Sequence, residues 1–249
     1  MFARKGSTAL LPCCNVKSKP GGIQIKSNKN RLKHLKHFIV RFFWLNTGLA
    51  LFSLGIVLTI RANIGFSPWD VFHAGVSETA GITLGTASIL VGLVILIVVA
   101  LMKEKLGLGT IFNMVIIGLL VDVMLPLIPM AEGFMIGIPM LVSGLFIISL
   151  GSYFYIGSGF GAGPRDSLMV VLMRITKKSA GFCRTTVESI AVAVGWLLGG
   201  MVGIGTVIAA IGIGFCIQIT FKLLKFDATA VKHETLTDTL RLLLEGHSH

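Results

Sequence analysis

Two six-residue stretches, GFSPWD at Gly65–Asp70 and GAGPRD at Gly161–Asp166, decide how this chain is organised. Each begins with a glycine and ends with a proline, one further residue and an aspartate. Proline is favoured at the first position of a helix, and an acid in the first turn stabilises the positive end of the helix. The two stretches therefore predict that short helices begin at Pro68 and at Pro164.

The likeness between the two stretches extends along most of the chain at a constant offset of 96 residues, the separation of Gly65 from Gly161. Seven of the ten glycines between residues 45 and 127 fall on a glycine when shifted by this offset. With 30 glycines in 249 residues, coincidence accounts for about one or two such matches. We interpret the pattern as an internal duplication, with membrane repeat 1 at residues 41–128 and membrane repeat 2 at residues 134–223.

The composition is typical of a helical membrane protein, with the lipid bilayer as its surroundings. Hydrophobic residues make up 54% of the sequence and charged residues 13%, against roughly a quarter charged in soluble domains. Two segments, Pro68–Ala80 and Pro164–Thr176, are too short and too charged to span, and we expect re-entrant or interfacial helices there. Six apolar runs approach the roughly 20 residues that a spanning helix needs. They are Arg41–Ile60, Leu84–Met102, Thr110–Leu127, Phe134–Ile156, Thr185–Met201 and Thr206–Phe221.

The basic residues predict which side of the membrane each loop occupies. Residues 1–40 form a basic tail without any acid, and further Lys and Arg residues follow the second, fourth and sixth runs. Because cytoplasmic loops are enriched in Lys and Arg, both termini are predicted to be cytoplasmic. The second tail, 226–249, is predicted to include an amphipathic helix. Nucleic acid is not an expected partner, because the basic tail has too few aromatic residues to stack bases.

The expected fold follows from the number of crossings. Three crossings in each repeat place the second repeat upside down relative to the first. We therefore expect an all-α membrane protein with six transmembrane helices, arranged as two inverted three-span repeats. Each repeat includes one short re-entrant or interfacial helix.

Asp70 and Asp166 occupy matching positions in the two repeats and are the first candidate site residues. Two interpretations stay open: they are first-turn acids that only stabilise their helices, or they face a solute or an ion. Trp69 in the first repeat corresponds to Arg165 in the second, which makes the second loop more cationic. The predicted pathway also includes backbone groups of the two loops, at Gly65, Ser67, Pro68, Gly161, Gly163 and Pro164.

Asp122 and Glu188 are carboxylates within the predicted spans. A charged group in a bilayer is costly and usually faces protein or water, so both residues are candidates for lining a solute pathway. Arg184 precedes Glu188 by four residues and can pair with it on one helix face. Asp122 corresponds to Gln218 in the second repeat.

The sequence carries no recognisable catalytic or metal-binding pattern. The four cysteines lack metal-ligand spacing, and the glycine loops lack the preceding β-strand of a nucleotide-binding fingerprint. We expect no enzymatic activity, no cofactor and no metal. His73 is isolated from other candidate ligands in the sequence, and we expect it to be solvated.

Three segments, Ile64–Val71, Gly107–Asn113 and Gly161–Met169, carry a resemblance to a protein family. They resemble the YczE/YyaS/YitT-like bacterial integral membrane proteins, and are most similar to the YczE-type branch. The resemblance covers about residues 41–225, with Ser167 standing where the family pattern has glycine. It implies a multi-pass protein of the bacterial inner membrane, in a poorly characterised family with no catalytic residues to carry over.

Two functions from different classes fit these features. The first is a small transporter or permease-like protein for a small polar or ionic solute, because inverted repeats with broken helices recur in secondary transporters. The alternative is a non-transporting membrane scaffold or regulatory protein. It would bind a cytoplasmic protein partner through its basic tail and inner loops, since one membrane fold can host several functions.

Overall fold

The structure, a computed structural model, describes residues 22–104 and 107–226, with side chains from residue 38 onward. This part of the chain is helical and contains no β-strand. The predicted amphipathic helix of the second tail and most of the basic tail lie outside the described residues. A 3₁₀ turn at Leu125–Leu127 extends the fourth helix. The α-helices are α1 (Gly22–Arg61), α2 (Pro68–Ala80), α3 (Leu84–Leu101), α4 (Leu108–Met124), α5 (Phe134–Gly157), α6 (Pro164–Thr176), α7 (Ala180–Leu197) and α8 (Ile204–Leu223).

Five helical segments within the described residues are long and apolar enough to cross a membrane, which confirms a multi-pass helical protein. Each of the five contains or overlaps a predicted apolar run. Helix α7 is not one of them, because the charges of Arg184 and Glu188 lower its hydropathy. The five segments are Phe38–Arg61, Leu84–Leu101, Leu108–Leu127, Phe134–Gly157 and Ile204–Leu223.

The bounds predicted for the fifth run, Thr185–Met201, differ from those of α7 by about a turn at each end. The helix begins earlier, at Ala180, because the Ser179 hydroxyl accepts a hydrogen bond from the Phe182 amide and caps it. It ends before Gly199, whose φ of 97° lies in the left-handed region that helices do not continue through. The length of an apolar run alone does not reveal the Ser179 cap or the positive φ of Gly199.

The two short helices have the bounds that the sequence predicts. Helix α2 begins at Pro68 and α6 at Pro164, each after an N-cap residue with extended backbone. Three residues before each proline, Gly65 and Gly161 have φ values of 119° and 121°, which residues with a side chain rarely adopt. Glycine and proline therefore fix these helix starts locally.

Helix bounds in the two halves of the chain coincide at the 96-residue offset. Helices α2, α3 and α4 begin at residues 68, 84 and 108, and α6, α7 and α8 begin at residues 164, 180 and 204. The ends of α2 and α3, at residues 80 and 101, match the ends of α6 and α7 at residues 176 and 197. Helices α1 and α5 end at residues 61 and 157, again 96 positions apart.

Helices α1 and α5 cross antiparallel through glycines. A Cβ atom on Gly48 would lie 2.9 Å from the carbonyl oxygen of Gly151, and one on Gly55 would lie 2.7 Å from that of Gly144. The residue number in α5 falls as that in α1 rises, so the helices run in opposite directions. Small residues allow two membrane helices to approach at backbone distance, where dispersion contacts are dense.

The glycine loop before each short helix is anchored on the other half of the chain. The Gly205 amide, at the start of α8, donates to the Ile64 carbonyl at 2.7 Å. The Gly109 amide, at the start of α4, donates to the Phe160 carbonyl at 2.8 Å. These hydrogen bonds satisfy backbone groups of the non-helical loops and hold the first turns of α2 and α6 in place.

Replacing Gly48 by alanine should destabilise the protein by about 1–3 kcal/mol, because the new methyl group would meet backbone atoms. Its Cβ would lie 2.5 Å from the Tyr155 amide nitrogen. The matched control is Gly214→Ala in α8, where no atom lies within 4 Å of an added Cβ. Thermal unfolding of the purified protein in detergent measures both. Equal unfolding midpoints for the two variants would contradict the close α1–α5 crossing.

Candidate functional site

A cavity of about 480 Å³ lies where the first turns of α2 and α6 meet. Residues Ser67–Asp70 and Gly163–Asp166 line it, and α1, α3, α4, α5, α7 and α8 complete its walls. The start of a helix presents unpaired amide groups and the positive end of the helix dipole. Two such ends therefore converge on one space. Of the predicted loop residues, Gly65 and Gly161 lie behind the lining, and Ser67, Pro68, Gly163 and Pro164 are part of it.

Asp70 is buried, with 3% of its surface exposed. Its Oδ2 accepts a hydrogen bond from the Ser67 hydroxyl at 2.5 Å, so this hydroxyl at the N-cap position bonds the carboxylate and does not cap the backbone. Burial raises the pKa of the Asp70 carboxyl above its usual value, and the nearby Arg165 charge and the Ser67 hydrogen bond act against that shift. Asp70 is thus a carboxylate held within the protein, in contact with the cavity.

His73 is buried on the same face of α2, one turn after Asp70, so the expectation that it is solvated is wrong. Its Nδ1 lies 3.9 Å from Oδ1 of Asp70. Burial, followed by the positive charge of Arg165, lowers the pKa of His73 well below its usual value. The neutral ring therefore lies beside a guanidinium without charge repulsion. The three-residue spacing from Asp70 was the sequence signal that could have found this pair.

Arg165 joins the two short helices. Its guanidinium carbon lies 4.9 Å from the ring centre of Trp69, a cation–π contact between matching positions of the two halves. One terminal nitrogen of the guanidinium lies 3.4 and 3.5 Å from the two ring nitrogens of His73. The side chain is half-buried and lines the cavity. A permanent cation therefore faces the space between the helix starts.

Asp166 and Glu188 also line the cavity. The Tyr155 hydroxyl, from the end of α5, donates a hydrogen bond to Oδ2 of Asp166 at 2.6 Å. Glu188 accepts a hydrogen bond from Nε of Arg184 at 2.8 Å, the pairing that the four-residue spacing predicts. No local sequence signal pointed to Tyr155, because its contact with Asp166 depends on how α5 leads into the loop.

Asp122 lies apart from these residues and does not line the cavity. Its carboxylate accepts a hydrogen bond from the Thr83 hydroxyl at 2.5 Å and from the Gly85 amide at 2.7 Å. Both donors are at the start of α3, so Asp122 caps that helix from the neighbouring α4. A place for Asp122 on a solute pathway stays a prediction. Within the described residues, no group of three His, Cys, Asp or Glu side chains could hold a metal ion.

Comparison with known proteins places the chain in a family of membrane proteins. A family model described as a family of unknown function (DUF6198) matches residues 39–222. The chain belongs to this family. The match includes every residue that lines the cavity, and the resemblance to YczE- and YyaS-like proteins is confirmed.

Three relatives share most of their length with this family member. The uncharacterized membrane protein YczE of Bacillus subtilis is 30% identical over 187 residues, 74% of this chain and 87% of the relative. An uncharacterized protein of Haemophilus influenzae is 28% identical, covering 71% of this chain and 81% of the relative. The uncharacterized protein YyaS of B. subtilis is 29% identical, covering 68% and 86%. No solved structure matches the chain.

Replacing Asp122 by alanine should destabilise the protein by about 1–3 kcal/mol, because the Gly85 amide and the Thr83 hydroxyl lose a charged acceptor. The matched control is Gln218→Ala, at the equivalent position of α8, where the side chain is exposed. We expect the control to unfold at nearly the wild-type temperature. Thermal unfolding in detergent measures both variants, and an unchanged midpoint for Asp122→Ala would contradict the capping role.

Proposed function

We propose that the protein is a small transporter for a small polar or ionic solute, without covalent chemistry on that solute. The observation that carries the proposal is the convergence of two helix starts and three ionisable side chains, Asp70, Arg165 and Asp166, on one cavity. Paired half-helix ends that meet near the centre of the membrane are a recurring design of secondary transporters. This likeness is one of architecture, and the groups that line the cavity determine which solute it suits.

The reciprocal contacts support two inverted repeats. Under the 96-residue shift, the contact of Gly48 with Gly151 becomes that of Gly144 with Gly55, so the two contacts exchange. The Gly109–Phe160 and Gly205–Ile64 hydrogen bonds exchange in the same way. Equivalent helices that cross antiparallel are related by a two-fold axis perpendicular to them. For spanning helices, such an axis lies in the plane of the membrane, and the halves have opposite orientations.

Helix α7 is the sixth crossing helix in this proposal. It matches α3 in both its first and last residue under the offset, and α3 is one of the five apolar segments. Its charges lie near its start, where Arg184 and Glu188 pair and Glu188 faces the cavity. Charged residues in spanning helices are tolerated where they pair or line a polar space. Both termini of the chain are then on the side of the basic loops, the cytoplasm.

Cysteines at Ala80 and Lys178 should react from opposite sides of the membrane, because inverted repeats place the ends of α2 and α6 on opposite faces. Both residues are exposed. In a cysteine-free background, a membrane-impermeant thiol reagent should label Ala80→Cys in intact cells and Lys178→Cys in inverted vesicles. Labelling of both variants from the same side would contradict the inverted arrangement.

The cavity offers binding groups of both charges. Arg165 and the two helix starts favour an anionic or hydrogen-bond-accepting group. The carboxylate of Asp166 is open to the cavity and favours a cationic or hydrogen-bond-donating group. Apolar residues such as Phe52 and Ile56 form other parts of the wall. Such a lining suits a small solute that carries polar or charged groups, and the central cation and carboxylate would orient it.

Uptake into proteoliposomes tests the proposed function. Radiolabelled acetate, phosphate, glycine and sodium serve as probes of anionic, zwitterionic and cationic solutes. We expect uptake of at least one probe above that of protein-free liposomes, and a reduction of about tenfold or more in Arg165→Gln or Asp166→Asn, since either change removes a charged binding group.

The matched control for the uptake assay is Arg174→Gln on the same helix. Arg174 lies outside the cavity lining, in an exposed ion pair with Glu104 at 2.8 Å. Uptake by this variant should equal that of the wild type, because exposed ion pairs contribute little. Equal reductions in Arg174→Gln and Arg165→Gln, or no uptake of any of the four probes, would overturn the proposal.

A further inference from the structure

The two halves of the chain contribute unequally to the lining of the cavity. Around its centre, equivalent residues of both halves line it, including Trp69 with Arg165 and Asp70 with Asp166. Toward one end, residues of the second half line it without their equivalents from the first. The lining there includes Ala180, Gly181, Ile217 and Phe221, whose equivalents Leu84, Gly85, Val121 and Leu125 are absent from the lining.

The equivalents from the first half are packed against one another. A Cβ atom on Gly85 of α3 would lie 2.0 Å from the carbonyl oxygen of Gly118 in α4. Asp122 adds the hydrogen bonds to Thr83 and to the Gly85 amide. Next to them, Nε of Arg61 donates to the Leu125 carbonyl at 2.9 Å. The start of α3 and the end of α4 are therefore packed closely against each other.

The matching ends of α7 and α8 stand apart. No atom lies within 4 Å of a Cβ placed on Gly181 or on Gly214, the equivalents of Gly85 and Gly118. Gln218, the equivalent of Asp122, is exposed. Glycine is less favourable than alanine within a helix, and in this arrangement no other helix packs on these two glycines.

We propose that the start of α3 with the end of α4, and the start of α7 with the end of α8, are the two gates of the cavity. The structure is the state in which Asp122 holds the α3/α4 gate closed and the α7/α8 gate is open. In the opposite state Gly181 packs on Gly214 and Gln218 approaches the start of α7, while Asp122 releases Thr83 and Gly85. This proposal rests on the inverted repeat of the proposed function.

The proposal gives a role to two glycines that are isolated in this structure. Gly181 and Gly214 pack against each other in the second state, whereas no other helix packs on them in the first.

The open gate faces the basic side, because Lys177 and Lys178 precede α7 and Lys222 lies in the last turn of α8. By the distribution of positive charge this side is the cytoplasm. In this structure the cavity is therefore open toward the cytoplasm.

Cross-linking of the open gate tests the proposal without knowledge of the solute. In a cysteine-free background, Ser179→Cys and Gln218→Cys form the α7/α8 pair, and Thr83→Cys and Asp122→Cys form the α3/α4 pair. Oxidation in native membranes should join both pairs, the second faster. A third cysteine at Ser88, which lines the cavity on α3, reports access through a membrane-impermeant thiol reagent.

We expect Ser88→Cys to react from the cytoplasmic side before oxidation and from the opposite side once the α7/α8 pair is joined. Joining the α3/α4 pair should leave its reaction on the cytoplasmic side. If the α7/α8 pair does not join where the α3/α4 pair does, or if Ser88→Cys never reacts from the outside, the proposal fails. The opposite labelling of Ala80→Cys and Lys178→Cys would still stand in that case, so failure of the gates is distinct from failure of the repeat.

A second variant guards against loss of folding. Gly214→Leu adds a side chain where the structure has open space, so the protein should fold and unfold as the wild type does. The leucine would prevent α7 from closing on α8. Combined with the Ser179→Cys and Gln218→Cys pair, this variant should show outside labelling of Ser88→Cys after oxidation that is at least about tenfold lower than with Gly214 in place, with labelling from the cytoplasm retained. Equal outside labelling after oxidation with leucine and with glycine at position 214 would overturn the proposal.

Discussion

The arrangement depends on two backbone hydrogen bonds that join each glycine loop to the opposite half of the chain, from Gly109 to Phe160 and from Gly205 to Ile64. A non-helical segment within a membrane protein must satisfy its amide and carbonyl groups inside the protein, because lipid offers no partners. Glycine permits this contact because no side chain separates the backbones. These hydrogen bonds hold the starts of α2 and α6 side by side, and the cavity lies between the two helix starts.

The polar groups of the cavity are held by contacts within and between helices. Asp70 bonds with Ser67, Asp166 bonds with Tyr155, and Arg165 lies on Trp69 beside His73. Within the described residues, no buried side-chain nitrogen or oxygen lacks a hydrogen-bond partner. Charged groups at this depth are costly when unpartnered, so their mutual contacts allow a charged cavity within an otherwise apolar bundle.

The two halves share a backbone plan and differ in chemistry. The position of Trp69 in the first half carries Arg165 in the second, and that of Asp122 carries Gln218. The first difference places a cation against an aromatic ring at the centre of the cavity. The second gives one helix pair a charged cap and leaves its counterpart without one. The two halves thus keep one architecture and differ in how closely their equivalent helix pairs are joined.

The sequence by itself determined the membrane class, the bounds of α2 and α6 and the correspondence of the halves. These features follow from local properties: apolar length, proline at a helix start, and glycine where φ is positive. The Arg184–Glu188 pair was also predictable, since both residues lie on one helix face. Only the tertiary structure decided that His73 is buried, that Tyr155 meets Asp166, that Asp122 caps α3, and that α3 and α4 touch where α7 and α8 do not. Those outcomes depend on how helices from different parts of the chain pack against one another. A local sequence pattern does not encode that packing.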